Sequence, residues 1–446
     1  MKFTLPKPNI SKVKAGQAMQ LLIKKNTSEV FSFIKKFLNS EYIYWDKFRH
    51  KEPAPRNILK EELWSIIKIF RESSSQVSII YSKEGTPFTW TKLDYFEEFF
   101  HRIDMGTGGE LFVEKKGLDK ANKQKLITRG IMEEAIASSQ LEGAATSRQA
   151  AKKMLREGRS PKNESEQMIV NSYNSMKEIE ETWKNKEMSL DLILELHGVI
   201  TKNTLDSSGN NPRLRKKGEP VYVNDKVTGE IYHEGPDMKF VNNELKKLVK
   251  FANDELEEES FIHPIVKAIM LHFWIGYLHP FTDGNGRLAR QLFYWYLIKK
   301  DYWAFAYLPI SKIIKKSPQQ YKMAYIYTEQ DDNDLTYFLD YNIKKIKLAL
   351  QDFEDYFKTQ YKKNTQMKKM SEIEYDLNIR QIQLLQYLHG DSNEKTTVTM
   401  HTNINQITKI TASKDLKDLA SKGFLISKKH GRYVYYYGTD KISKLF

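Results

Sequence analysis

His279-Pro-Phe-Thr-Asp283-Gly-Asn285-Gly-Arg287-Leu-Ala-Arg290 is the stretch whose reading decides the fold. It follows a run, Pro264 to Leu278, in which Val266, Ile269, Phe273 and Tyr277 recur at helical spacing. A helix anchored in a core therefore delivers the histidine at its exit. Glycines at 284 and 286 leave backbone N–H groups able to converge on an anion. The helix that begins there adds the partial positive charge of its N-terminus. Arg287 and Arg290, three apart, are expected on one face of that helix, both aimed at the same anion. Asp283 adds one carboxylate able to hold a divalent ion that bridges phosphates. The parts describe a polyphosphate site with a base, His279, at its edge.

Rival readings fail on individual residues. Asp-Gly-Asn-Gly also occurs in EF-hand calcium loops, but in that register positions one and twelve fall on Phe281 and Leu292, which offer no side-chain oxygen. A Walker-type loop needs Gly-Lys-Ser/Thr after the glycines, and none follows. A plain glycine-rich turn between helices would account for Gly-x-Gly. It does not account for a histidine, an aspartate, two glycines and two arginines at these offsets.

The segment resembles the signature of the Fic family, His-x-Phe-x-Asp/Glu-Gly-Asn-Gly-Arg-x-x-Arg, at every specified position. The resemblance spreads over about 120–345 and takes in the helix entered by His263-Pro264. It implies a mainly α fold, a Fic helical bundle with a small β-hairpin flap. It also implies transfer of AMP from ATP, with Mg²⁺, to a Ser, Thr or Tyr hydroxyl of a target protein or of the chain itself. Some family members transfer other phosphate-containing groups, so the nucleotide stays open. In the implied roles His279 is the general base, Asp283 holds Mg²⁺, and the Gly284, Asn285 and Gly286 loop with Arg287 stabilises phosphate charge. Arg290 grips the γ end, and Tyr321, downstream of the motif, helps to hold the base and borders the nucleotide. Phe281 reads as a packing anchor.

Upstream, Pro220 to His233 alternates apolar and polar residues around Asn224-Asp225 and Gly229, a hairpin pattern. It resembles the family flap, and the stretch 221–233 is the expected docking site for extended backbone of a target. His233 is expected to be a flap or surface histidine rather than a catalyst. Ser138-Ser-Gln-Leu-Glu142-Gly143 resembles the family inhibitory sequence, Ser/Thr-x-x-x-Glu-Gly/Asn, placed as in N-terminally inhibited members. The resemblance implies that Glu142 pairs with Arg290 and denies that guanidinium to the γ-phosphate. In some members the same glutamate helps to remove AMP, and that alternative also stays open.

The chain of 446 residues exceeds one ordinary domain, and its 40% hydrophobic and 12% aromatic content suffices for packed cores. Three blocks are expected: a helical region 1–115 of unassigned role, a Fic core 116–350 with an inhibitory helix at about 123–143, and a C-terminal block 370–446 after the lysine-rich stretch Lys358 to Lys369. Helices are expected at Ile58 to Phe70, Glu164 to Trp183, Leu190 to Lys202 and Asn242 to Asn253, and a loop at Asp104 to Gly109. In the first block Trp45, Trp64 and Trp90 read as core or interface residues, and target recognition or dimerisation is the role left open for it.

In the last block, helices at Ile379 to Leu388, within Val398 to Ile410, and at Thr411 to Ala420 precede two short strands flanking Lys428 to Arg432. That order describes a winged helix-turn-helix. It also carries a competing reading, a DNA-binding regulator whose Fic-like core only senses nucleotide. Lys414, Lys417, Lys428, Lys429 and Arg432 favour it. Asp415 and Asp418, on the same helix as Lys414, oppose it by repelling phosphates, and a protein partner is the other reading of such a module.

A net charge of +14, from 71 Lys and Arg against 57 Asp and Glu, invites a phosphate or nucleic-acid partner, but taken alone it favours the plainer reading of a lysine-rich solvated surface. The absence of cysteine excludes disulfides, thiol nucleophiles and cysteine-held zinc. Neither a signal peptide nor a membrane-length apolar run is present, so the expectation is a soluble, cytoplasmic protein.

Overall fold

The computed structural model describes residues 2–9, 27–52, 54–55, 58–107, 120–204, 212–225, 227–256, 261–389, 394–431 and 433–445. In chain order the principal elements are α1 (Thr27–Leu38), α2 (Lys60–Ser74), β1 (Gln76–Tyr81), β2 (Pro87–Trp90), α3 (Asp94–Thr107), α4 (Lys120–Leu141), α5 (Arg148–Glu157), α6 (Glu164–Glu181), α7 (Leu190–Thr201), β3 (Tyr222–Asn224) and β4 (Ile231–Glu234). They continue with α8 (Met238–Ala252), α9 (Pro264–Leu278), α10 (Asn285–Lys299), α11 (Pro318–Gln330), α12 (Thr336–Glu374), α13 (Ile379–His389), β5 (Lys395–Thr396), α14 (Val398–Asn405), α15 (Lys409–Ser421), β6 (Leu425–His430) and β7 (Tyr433–Gly438). Helices dominate, as expected. No helix among the described residues is long and apolar enough to cross a membrane.

The chain divides into two compact units. The first comprises Met1–Gly109, Glu178–Trp303 and Ile313–Lys347; the second comprises Glu110–Lys177, Ala304–Lys312 and Leu348–Phe446. In the first unit α9 starts with Pro264 at its first turn and His263 as N-cap, whose Nδ1 accepts the Ile265 N–H. Every α9 residue from Ile265 to Leu278 is buried, so the helix is enclosed on all sides rather than on one stripe. α10 packs along it and is itself buried from Arg287 to Ile298. Each fully buried leucine, isoleucine or phenylalanine contributes roughly 1.5–3 kcal/mol, so the core fixes both helices that frame the 279–284 loop.

The first block joins this unit through polar keys. Buried Arg71 of α2 donates to the Tyr337 hydroxyl (2.7 Å) and to the Phe37 carbonyl (2.7 Å). The Tyr42 hydroxyl donates to Asp334 (2.5 Å). Trp45, Trp64 and Trp90 are buried, which fits the expected core role. The antiparallel pair β1–β2 has no counterpart in the sequence reading; the Thr89 carbonyl accepts from the Leu335 N–H (2.8 Å), extending it towards α12.

In the second unit, α4 approaches the turn ending in Tyr307 so closely that a Cβ at Gly130 would collide with the Tyr307 backbone. Glu134 on α4 accepts the Ser311 N–H (2.9 Å). The C-terminal module has its own core of Leu384, Leu385, Leu416, Leu419, Phe424 and neighbours, with a sheet ordered β5-β7-β6. The C-terminal block is expected after the lysine-rich stretch Lys358 to Lys369, and that stretch lies inside the 39-residue α12. Lys, Gln and Met, most of that stretch, are favoured in helices, so charge density alone does not end one. Arg432 and the end of the expected loop, Gly108 and Gly109, lie outside the described residues, as does the expected boundary at 115.

Candidate active site

His279 is the C-cap of α9 and holds φ 44°, ψ 59°. A non-glycine residue in that left-handed region costs about 1–2 kcal/mol. Its surroundings offset the strain. Its N–H donates to the Ile275 carbonyl (3.0 Å), and its own carbonyl accepts from Arg215 Nε (2.8 Å). Arg215 is buried, also donates to the Pro236 carbonyl, and its N–H bonds the Pro280 carbonyl (2.9 Å). The His279 Nδ1 meets the Gly276 carbonyl. A carbonyl only accepts, so Nδ1 carries the proton and Nε2 is the basic nitrogen of the neutral ring.

The loop beyond is tied to itself. Phe281 is fully buried and stacks on the His197 ring, centroids 3.6 Å apart. Asn285 spends its whole side chain on the loop: Oδ1 accepts the Phe281 N–H (3.0 Å) and Nδ2 donates to the Phe281 carbonyl (2.8 Å). That leaves its backbone N–H as the group it offers an anion. Gly284 caps α10 at φ 81°, and a Cβ there would lie 2.8 Å from Thr201 Cγ2 and 3.3 Å from His197 Nε2. Only glycine fits both the conformation and the space. The first-turn N–H groups of α10, Gly286 included, have no partner within the helix, which is the arrangement expected for anion binding.

The two arginines take different posts. Arg287 is buried; it donates to the Ile200 carbonyl at the end of α7 (2.7 Å) and to Asp283 Oδ2 (2.9 Å). The expectation from spacing aims it at phosphate. Its guanidinium here braces α7 and orients Asp283, because a buried guanidinium must meet acceptors nearby. Arg290, also buried, lies near enough to His272 that its charge, after burial, helps to push that histidine down to about 3. Tyr321 donates to or accepts from His272 Nε2 (2.7 Å), which seats it beside α9 seven residues before His279. Asp283 keeps a half-exposed side chain. One such carboxylate fits Mg²⁺, which takes most of its ligands from phosphates and water; no cluster of three metal-binding side chains occurs among the described residues.

Other contributors escape the sequence. His197 Nε2 donates to the Asp283 carbonyl (2.9 Å), and burial, ahead of the Arg287 charge, pushes the ring down to about 4. His233, expected on the flap or the surface, lies on the flap strand β4 yet is buried. It bonds Glu329 (2.7 Å) and the Tyr277 carbonyl (2.8 Å), and its ring centroid is 5.6 Å from that of His279. Arg215, His197 and His233 depend on partners 64, 86 and 96 residues away in sequence, so no local spacing betrays them.

The β3–β4 hairpin forms where expected, with Val223 opposite His233. Residues 2 and 3 lie along β4, through the Lys2–Ile231 bridge and the Phe3 N–H to Ile231 carbonyl bond (2.9 Å). Among the described residues no strand pairs with the outer edge of β3. In the second unit, Ser138 is buried in α4, the helix ends at Leu141, and Glu142 stands in the turn, its N–H bonded to the Ser139 carbonyl (3.1 Å). Gly143 follows at φ 108°.

Residues 187–297 match the Fic/DOC family model. Over 109 residues the chain is 35% identical to protein adenylyltransferase fic-1 of Caenorhabditis elegans, a match covering 24% of this chain and 19% of that protein. Over 111 residues it is 32% identical to protein adenylyltransferase Fic of Nematostella vectensis, covering 24% and 22% respectively. Each match thus spans about a fifth of the relative's length. A crystal structure of a Fic family protein from Desulfovibrio desulfuricans G20 aligns with 78% of this chain and 97% of that one, at 15% identity and a TM-score of 0.49.

Proposed function

We propose, from the premise that residues 187–297 are a Fic/DOC-family domain, that the protein is an adenylyltransferase moving AMP from ATP to a Ser, Thr or Tyr hydroxyl. The observation that carries the reading is His279, fixed in a left-handed cap with Nδ1 on a carbonyl and Nε2 as base, beside the N-terminus of α10. Nε2 takes the proton of the attacking hydroxyl, whose oxygen bonds to the α-phosphorus as the bond to the β-phosphate oxygen breaks and pyrophosphate departs. The N–H groups of Asn285 and Gly286 stabilise the phosphates at the helix N-terminus. Arg290 holds the γ end. Asp283, steadied by Arg287 and by the His197 bond to its carbonyl, would hold Mg²⁺, which when bound neutralises phosphate charge.

The remaining assignments rest on the sequence motifs and on local structure. Glu142 is a brake whose carboxylate competes with the γ-phosphate for Arg290, and the buried Ser138 and the turn at Gly143 shape the end of its helix. The outer edge of β3 takes extended backbone of the target by strand addition. The order α13, β5, α14, α15, β6, β7 supports a winged helix-turn-helix at the C-terminus.

The test is intact-mass analysis of Glu142→Gly protein incubated with Mg²⁺ and each nucleoside triphosphate in turn. An AMP-sized adduct from ATP is expected, absent from the Glu142→Gly, His279→Ala double variant. No adduct from any triphosphate, or an adduct that survives loss of His279, would contradict the assignment.

A further inference from the structure

Of the aspartates that read as barring the C-terminal module from nucleic acid, Asp415 is buried and Asp418, still partly exposed, is paired with a lysine. Asp415 is buried: it accepts from Arg380 Nε (2.8 Å), Asn378 Nδ2 (2.9 Å) and His401 Nε2 (3.2 Å). Burial alone would raise its carboxyl, but these three bonds overcome it and hold it well below the usual carboxylate range. Asp418 is bonded by Gln381 Nε2 (2.6 Å) and neutralised by Lys422 (2.8 Å). What α15 shows to solvent is Lys409, Ile410, Lys414, Lys417 and Ser421, while Ala412, Asp415, Leu416 and Leu419 face inward. The hairpin that follows exposes Lys428, Lys429 and His430.

Two further features say which way the module faces. α14 packs against α4 and α5 of its own unit, and Asn403 Nδ2 donates to the Arg156 carbonyl (3.3 Å). α13 lies in the module's core. The three-residue turn Gln406 to Thr408, with Gln406 left-handed at φ 50°, therefore leads from a covered helix to an uncovered one.

We propose that the outward face of α15, together with the β6–β7 hairpin, binds duplex DNA. Its cationic groups complement backbone phosphates, and they are the sequence-independent source of affinity. An α-helix fits the major groove of B-form DNA, whereas the major groove of A-form RNA is too narrow for it. Ile410, in the first turn of α15 and 83% exposed, is placed where a groove-entering helix presents side chains to base edges; an apolar side chain there suits a thymine methyl. This inference is independent of the transferase chemistry, since it uses no residue of that site.

The test uses the full-length protein and a fluorescent duplex of about 20 base pairs, followed by anisotropy across roughly 50 to 200 mM salt. Binding is expected at the low end and should weaken about tenfold or more at the high end. The pairs Lys414→Glu with Lys417→Glu, and Lys428→Glu with Lys429→Glu, should each cut affinity about tenfold and lower the salt slope by about 2. Their melting temperatures should equal the wild type's, because these side chains are exposed, and Lys239→Glu in the other unit should bind normally. No binding at low salt, or undiminished binding by both lysine pairs, would overturn the proposal and leave a protein as the module's partner; equal affinity for duplex RNA would overturn it by showing attraction to any phosphate backbone.

Discussion

At the scale of single residues, the strained cap at His279 links conformation to chemistry. Its backbone is held by Ile275 and Arg215 and its ring by Gly276, which leaves Nε2 as the basic nitrogen. His279→Ala should lower adenylylation by roughly 10²–10⁴-fold with the fold intact by circular dichroism. Full activity in that variant would remove the base from the account. The buried histidines make a separate prediction. His197 and His272 sit at about 4 and about 3 against an ordinary 6.5, burial being the first cause in both. Above about pH 6.5 neither state binds the proton, and the folded protein keeps its full stability. As pH falls from 6.5 towards 4, the unfolded chain binds protons that the folded chain refuses, so stability declines. Each tenfold loss of proton affinity on folding is worth at most about 1.4 kcal/mol for each ring. Urea unfolding should show a lower midpoint at pH 5 than at pH 7. His197→Gln should flatten that slope; an unchanged slope would show that His197 is accessible to protons when folded.

At the scale of elements, close approach decides more than propensity. A methyl at Gly284 would meet Thr201 at 2.8 Å and would also have to adopt φ 81°. Gly284→Ala should therefore cost about 1–3 kcal/mol and disturb the start of α10. Thermal unfolding beside an activity assay checks it, and an unaltered melting temperature with full activity would contradict the placement. The same contrast shows what is legible in the sequence. The bounds Pro264–Leu278, the hairpin near 221–233 and the order of C-terminal elements follow from apolar spacing and turn residues, which are local. The posts of Arg287, Asn285, Arg215 and His197 are not legible, because their hydrogen-bond partners come from other elements or from the loop's own backbone. The course of α12 through Lys358 to Lys369 is hidden for another reason: a run of charge carries no apolar periodicity, yet its lysines, glutamines and methionine are competent helix formers.

At the scale of the whole molecule, the proposed brake and the proposed catalytic loop belong to different compact units. Ser138, Glu142 and Gly143 fall in the second, and His279 to Arg290 in the first. A brake of that kind should be released by a single substitution, so Glu142→Gly should raise self-labelling by about tenfold or more, the range of one competed charge-assisted contact worth about 1.5–3 kcal/mol. Equal labelling of wild type and variant would remove the brake and leave the transferase intact. Transfer of AMP requires that the bond broken lies between the α-phosphorus and the oxygen that bridges to the β-phosphate. Glu142→Gly protein should be incubated with Mg²⁺ and ATP radiolabelled either at the α- or at the γ-phosphorus, then denatured and counted. Protein-bound label is expected from the α-labelled nucleotide only, and none from either when His279 is also alanine. Label retained from the γ-position would contradict it.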